Sequence, residues 1–96
     1  MRVKSVERKK DNLYEIKIQL QEADKYNFNR YKLNRYRLKM GLLKILGIPY
    51  RDCIDKGPEG ETDILLFLVS SPTSIRYADV LNALNTIRSK NKWIIP

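Results

Sequence analysis

A chain of 96 residues, 43% hydrophobic and 31% charged, has room for one core but not two, and this composition excludes global disorder. The absence of histidine removes the commonest general base, every Ser-His or Cys-His pair and every His-based metal site, while a lone cysteine, Cys53, excludes an internal disulfide and a Cys-based metal site. The net charge of +8 favours an anionic partner: nucleic acid, anionic lipid or an acidic protein.

The N-terminus, MRVKSVERKKDN, has no apolar run of signal-peptide length after its charges. The longest uninterrupted apolar run, Ile64 to Val69, is far short of a membrane span. A single domain over residues 1–96, cytoplasmic and without a membrane partner, is therefore expected. Residues 3–10 have strand character, and Asp11-Asn12 is a turn signal. Tyr14, Ile16, Ile18 and Leu20 then alternate with Glu15, Lys17 and Gln19, the pattern of a half-buried strand. The two segments read as a β-hairpin, or else as one long strand broken at Lys10–Asn12.

Asp24 to Leu46, DKYNFNRYKLNRYRLKMGLLKIL, carries a net charge of +6, from seven cations and Asp24. Tyr26, Phe28, Tyr31 and Tyr36 lie among those cations. Leu33, Tyr36, Met40 and Leu43 follow 3-4-3 spacing, with Tyr31, Leu38, Leu42 and Ile45 as a neighbouring stripe, so a helix packed on a sheet is predicted from Leu33 onward. Arg30, Arg37 and Lys44 fall opposite that face. Lys32, Arg35 and Lys39 flank it on stems able to reach water. A tandem repeat, NRYKL followed by NRYRL, has a period of five that fits neither helix nor strand. Gly47 and Pro49 end the helix.

Residues 48–55 read as a short edge strand. Gly57-Pro58-Glu59-Gly60 turns the chain into a central strand at Ile64 to Val69. A second helix is expected from Ser71-Pro72, with Tyr77, Val80, Leu81, Leu84 and Ile87 on its apolar face and Asn91 closing it. Trp93-Ile94-Ile95 makes a last short strand. The predicted fold is α+β, a ferredoxin-like split β-α-β-β-α-β sandwich with both helices on one face of an antiparallel sheet, extended by the optional N-terminal strand. Right-handed crossovers place residues 14–20 beside 64–69, with Ile16, Ile18, Leu66 and Leu68 expected in one core layer.

No motif for catalysis, cofactor or small-molecule substrate is present. Cys53 reads as an inert, partly buried thiol, and Asp52, Asp55, Glu59 and Glu61 as a solvated hairpin with no EF-hand spacing. The expected function is non-enzymatic binding of DNA or RNA, with Lys25, Arg30, Tyr31, Lys32, Arg35, Arg37, Lys39 and Lys44 as candidate contacts to phosphates and bases. For Tyr36 the core is favoured; for Tyr26 and Phe28 the side chain's role is open. The alternative is a protein-interaction module, a homodimer or a binder of an acidic protein, pairing through the 48–55 strand or the N-terminal hairpin. The lysine-, asparagine-, isoleucine- and tyrosine-rich composition suits a phage or mobile-element protein.

The split βαβ sheet resembles RNA-recognition modules, whose central strands stack bases on aromatics. Here the third core strand, ILLFLVS, offers only Phe67 and no basic-glycine-aromatic signature, so binding is expected from the helix side or the loops. The last third, ILLFLVSSPTSIRYADVLNALNTIRSKNKWII, is similar in pattern to the periplasmic domain of the ExbD/TolR family, in which a Tyr-x-x-Val helix follows an apolar strand. The family's anchor, its strand-end aspartate (Ser70 or Ser71 here) and its glycine after the helix have no counterpart. The resemblance implies fold alone.

Overall fold

Alternation of apolar and polar residues organises the sheet from its first turn. In the computed structural model, which describes residues 1–21, 32–58 and 64–90, β1 (Arg2–Lys10) and β2 (Leu13–Gln19) pair antiparallel as a hairpin. Asp11 and Asn12 make the turn, with Asn12 at φ 62°, a left-handed conformation that asparagine tolerates. The Ser71 N–H donates to the Asn12 carbonyl at 2.8 Å and ties this turn to the end of β4 (Ile64–Ser70).

β2 pairs antiparallel with β4, and β4 with β3 (Cys53–Pro58), giving the order β1-β2-β4-β3. The central neighbours are those expected, but the position beside β2 belongs to the N-terminal strand. A two-residue turn makes that pairing entropically inexpensive, because almost no loop has to be closed. The predicted strand at 93–95 and the turn residues Glu59 and Gly60 lie outside the described residues.

The expected core layer needs correction. Ile16 faces Phe67 and Ile18 faces Leu65 across the β2–β4 ladder, while Leu66 and Leu68 oppose Lys17 and Glu15 on the other face. A continuous apolar run such as ILLFLV has no phase of its own, and one residue of register exchanges its two faces. Tyr14, Ile16, Ile18, Leu65, Phe67 and Val69 thus form the buried layer, and Phe67 is enclosed beneath the helices.

Two helices cover that layer: α1 (Lys32–Leu46) and α2 (Tyr77–Lys90). Leu38, Leu42 and Leu43 from α1 meet Val80, Ala83, Leu84 and Ile87 from α2 in one core with the sheet. Each fully buried Leu, Ile or Val contributes about 1.5–3 kcal/mol. The helices are in close contact at Gly41, where a Cβ would lie 3.0 Å from Ile87 Cδ1.

α1 ends as its sequence predicts. Ile48 N–H donates to Leu43 O at 2.9 Å and Gly47 N–H to Lys44 O at 3.3 Å, with Gly47 at φ 72°, a Schellman cap. Leu43 and Ile48 are both buried in the core beside this cap. The expected strand at 48–55 starts later: Tyr50–Asp52 form a 3-10 turn closed by Asp52 N–H to Pro49 O, and the strand runs from Cys53 to Pro58.

The second helix also starts later than Ser71-Pro72. The buried Ser71 hydroxyl donates to Thr73 O and accepts from Thr73 N–H, spending its capping capacity on a local turn. The Asp79 carboxylate instead accepts the Arg76 N–H at 2.9 Å, so the helix begins at Tyr77 with an acid in its first turn reaching back. Tyr77, predicted on the apolar face, is half exposed and donates its hydroxyl to Val3 O at 3.1 Å. Arg88 donates to Met1 O at 3.1 Å. These two bonds dock α2 on β1 and on Met1 just before it. Among the described residues no helix is long and apolar enough to cross a membrane.

Candidate nucleic-acid interface

Which side of α1 faces the sheet decides what its cations can reach. Leu38, Leu42 and Leu43 are buried, so Arg37 and Lys44, seven residues apart and two turns along the helix, share the outward side and are exposed. Lys44 also sits in the last turn, where a cation complements the helix dipole.

Lys39 turns inward. It is 8% exposed, and its stem lines the space between α1 and the sheet with Leu42, Leu43, Cys53, Phe67 and Val69. Its amine lies over the Tyr50 ring, 4.5 Å from the centroid. Such a contact offsets part of the cost of withdrawing an ammonium from water.

Tyr36 departs from the expected core position: it is 48% exposed. The helix is rotated towards the Leu38-Leu42 stripe together with Leu43, which leaves Tyr36 at the flank and Ile45 also exposed. Tyr36 meets Tyr50 with ring centroids 6.2 Å apart and planes tilted by 57°, a favoured aromatic geometry. Tyr50 is 51% exposed and Arg51 beside it is exposed. The Gly47 cap and the 3-10 turn bring Tyr50 back against α1. Lys44 and Arg51 have no ion-pair partner among the described residues.

Of the expected contacts, Lys25, Arg30 and Tyr31 lie outside the described residues, as do Tyr26 and Phe28. Lys32 and Arg35 are placed on the α1 backbone only. The structure brings together Tyr36, Lys39 and Tyr50 beside Arg51, and sets Arg37 and Lys44 on the adjoining outward side. Sequence reasoning passed over Tyr50, since it stands eleven positions after Lys39 and no spacing rule connects a helix to a later turn.

It also passed over β1, which carries Arg2, Lys4, Arg8, Lys9 and Lys10 against Glu7. Part of that charge is neutralised. Lys9 meets Glu7 at 3.0 Å and Glu15 at 3.5 Å, Lys17 meets Glu15 at 3.5 Å, and Arg8 meets Asp11 at 2.9 Å. The hydrogen bond and charge of Lys9 hold Glu7 below the usual carboxylate range, and Glu7 in turn raises Lys9. Arg2, Lys4 and Lys10 are exposed without such a partner among the described residues.

Cys53 is buried on the helix-facing side of β3. Burial pushes its thiol up to about 11, with Lys39 opposing and Asp55 reinforcing the shift. A thiol so placed keeps its proton at neutral pH and is a poor nucleophile. Compared with known protein families, curated proteins and solved structures, the chain matches none.

Proposed function

We propose that the protein binds nucleic acid, DNA or RNA, without catalysing a reaction, and that it does so through the outward side of α1 and the 3-10 turn behind it. The observation that carries this reading is an exposed pair of tyrosines in contact, Tyr36 and Tyr50, at the flank of a helix whose outward side carries the exposed cations Arg37 and Lys44, with Arg51 exposed next to Tyr50 in the chain. Arginine and lysine supply phosphate contacts whose strength comes from counterion release. Lys25, Arg30, Lys32 and Arg35 extend the same basic stretch along the sequence and belong to the proposed interface.

The proposal also takes the sheet as a variant of the ferredoxin-like sandwich in which β1 stands where the closing strand is expected, and the cytoplasm as the working compartment. Phe67 is 2% exposed, so the aromatics that serve binding are on the helix side and not on the sheet.

The test is fluorescence anisotropy with labelled single- and double-stranded DNA and RNA over a salt series. Micromolar or tighter binding with a steep salt slope is expected. Arg37→Ala/Lys44→Ala should weaken all sequences alike and flatten the log–log slope by about 1.4 for single strands and about 1.8 for duplex, from two lost phosphate contacts. Absence of binding at low salt overturns the proposal.

A further inference from the structure

Resting on the reading above, we infer that Tyr36 and Tyr50 form a stacking platform for exposed bases, which makes single-stranded nucleic acid the preferred form, and that Lys39 is the positioning residue that holds Tyr50 in place. Two half-exposed tyrosines in contact leave ring surface open to solvent, at 48% and 51% exposure. Their centroid separation of 6.2 Å and tilt of 57° keep the rings from closing face to face on each other. Stacking on aromatics is open to any base, because each has a π-face, but a duplex already uses those faces internally.

One face of Tyr50 is occupied by the Lys39 amine at 4.5 Å. Lys39 is itself held by burial of its stem, so the ring rests on a fixed cation while half of the Tyr50 side chain stays exposed. A cation beneath a ring draws on its π-electrons and suits the open face to an electron-rich base. The surrounding charges complement the ligand. Arg51 follows Tyr50 directly and Arg37 follows Tyr36, and both are exposed, so the chain next to each ring carries a guanidinium for the phosphates of a bound strand. Lys39 therefore serves the base and not the phosphate.

The experiment compares labelled oligo(dT) with inorganic polyphosphate, a polyanion that has no bases. Tyr36→Leu and Tyr50→Leu should each lower oligo(dT) affinity by about tenfold, within the range known for lost base–aromatic stacks, and leave polyphosphate competition and the salt slope as in wild type. Tyr36→Phe and Tyr50→Phe keep the rings and should stay near wild type. Lys39→Met keeps the stem and removes the charge; it should weaken oligo(dT) with no change in salt slope, whereas Lys44→Ala should reduce the slope by about 0.7.

Far-UV circular dichroism and melting temperature establish that each variant is folded. Folded leucine variants that bind oligo(dT) as wild type does overturn the platform and leave the phosphate-contact reading standing. So does an equal loss towards oligo(dT) and polyphosphate. A wild-type protein that binds no nucleic acid at low salt removes the reading beneath.

Discussion

Gly41 is the one helix-interior glycine in α1, and its packing against Ile87 gives a quantitative test of how the two helices meet. In an exposed helix, Gly→Ala stabilises by about 1 kcal/mol through propensity alone. At position 41 the new Cβ would stand 3.0 Å from Ile87 Cδ1 and 3.2 Å from its Cγ1. Ile87 is 3% exposed and β-branched, so it has little room to swing aside. Overpacking of this kind costs about 1–3 kcal/mol, which exceeds the propensity gain.

Gly41→Ala should therefore destabilise by about 1 kcal/mol, the balance of those two terms. Ile87→Val alone should cost about 1 kcal/mol through the lost methyl group. The double variant should lose under about 1 kcal/mol rather than the additive 2, because valine lacks the Cδ1 that the new alanine meets and the helix-propensity gain then offsets most of the lost methyl. Urea unfolding followed by circular dichroism resolves this, since 1 kcal/mol moves the midpoint by about 0.5 M at a slope near 2 kcal/mol/M. A cycle that closes within about 0.3 kcal/mol, with Gly41→Ala stabilising by the full propensity term, would refute the close approach.

Asp79 is held below the usual aspartate range, first by the Arg76 backbone N–H and then by the Arg76 charge. A depressed folded pKa contributes stability that is present above the unfolded value of 3.8 and lost as pH falls through the folded one. The melting-temperature difference between wild type and Asp79→Ala should therefore be largest near neutrality and shrink below the ordinary aspartate range. Cys53 has the opposite sign. Its folded pKa near 11 stands above the ordinary 9.0, so stability should fall as pH rises between these values, and Cys53→Ala should remove that part of the fall. A thiol-reactive chromophore at neutral pH should label Cys53 only as fast as the protein opens; immediate labelling of the folded chain would contradict its burial.

The features legible in the sequence were those set by one local rule. Strict alternation from Tyr14 to Leu20 gave β2 its phase, Asp11-Asn12 gave the hairpin, and Gly47 gave the end of α1. Crossover handedness placed β2 beside β4. What escaped was set by competition between rules. ILLFLV is apolar at every position, so only its ladder with β2 selects Phe67 over Leu66 for the core. In α1 two apolar stripes overlap, and contact with the sheet and α2 selected Leu38, Leu42 and Leu43, moving Tyr36 to the surface and Lys39 inward. Ser71-Pro72 carried a valid capping signal, but Asp79 supplied another three residues after Arg76, and the buried Ser71 hydroxyl went to Thr73. The aromatic corner joins two elements that no periodicity relates.

The irregularities in β1 and β3, the outer strands among the described residues, bear on how far this sheet can grow. β1 breaks its register between Val3 and Ser5 and again between Arg8 and Lys10, and most of its residues are charged. β3 breaks its register between Asp55 and Gly57, carries Lys56 at that point and ends in Pro58, which has no N–H to offer. A second copy arriving at either border meets interrupted hydrogen-bonding rows and a lysine that would lose its water. A copy pairing through the 48–55 segment would meet this interruption of the ladder at Asp55–Gly57. With Ile54 so exposed on β3, such borders disfavour the edge-to-edge pairing of copies that would extend the four strands seen among the described residues.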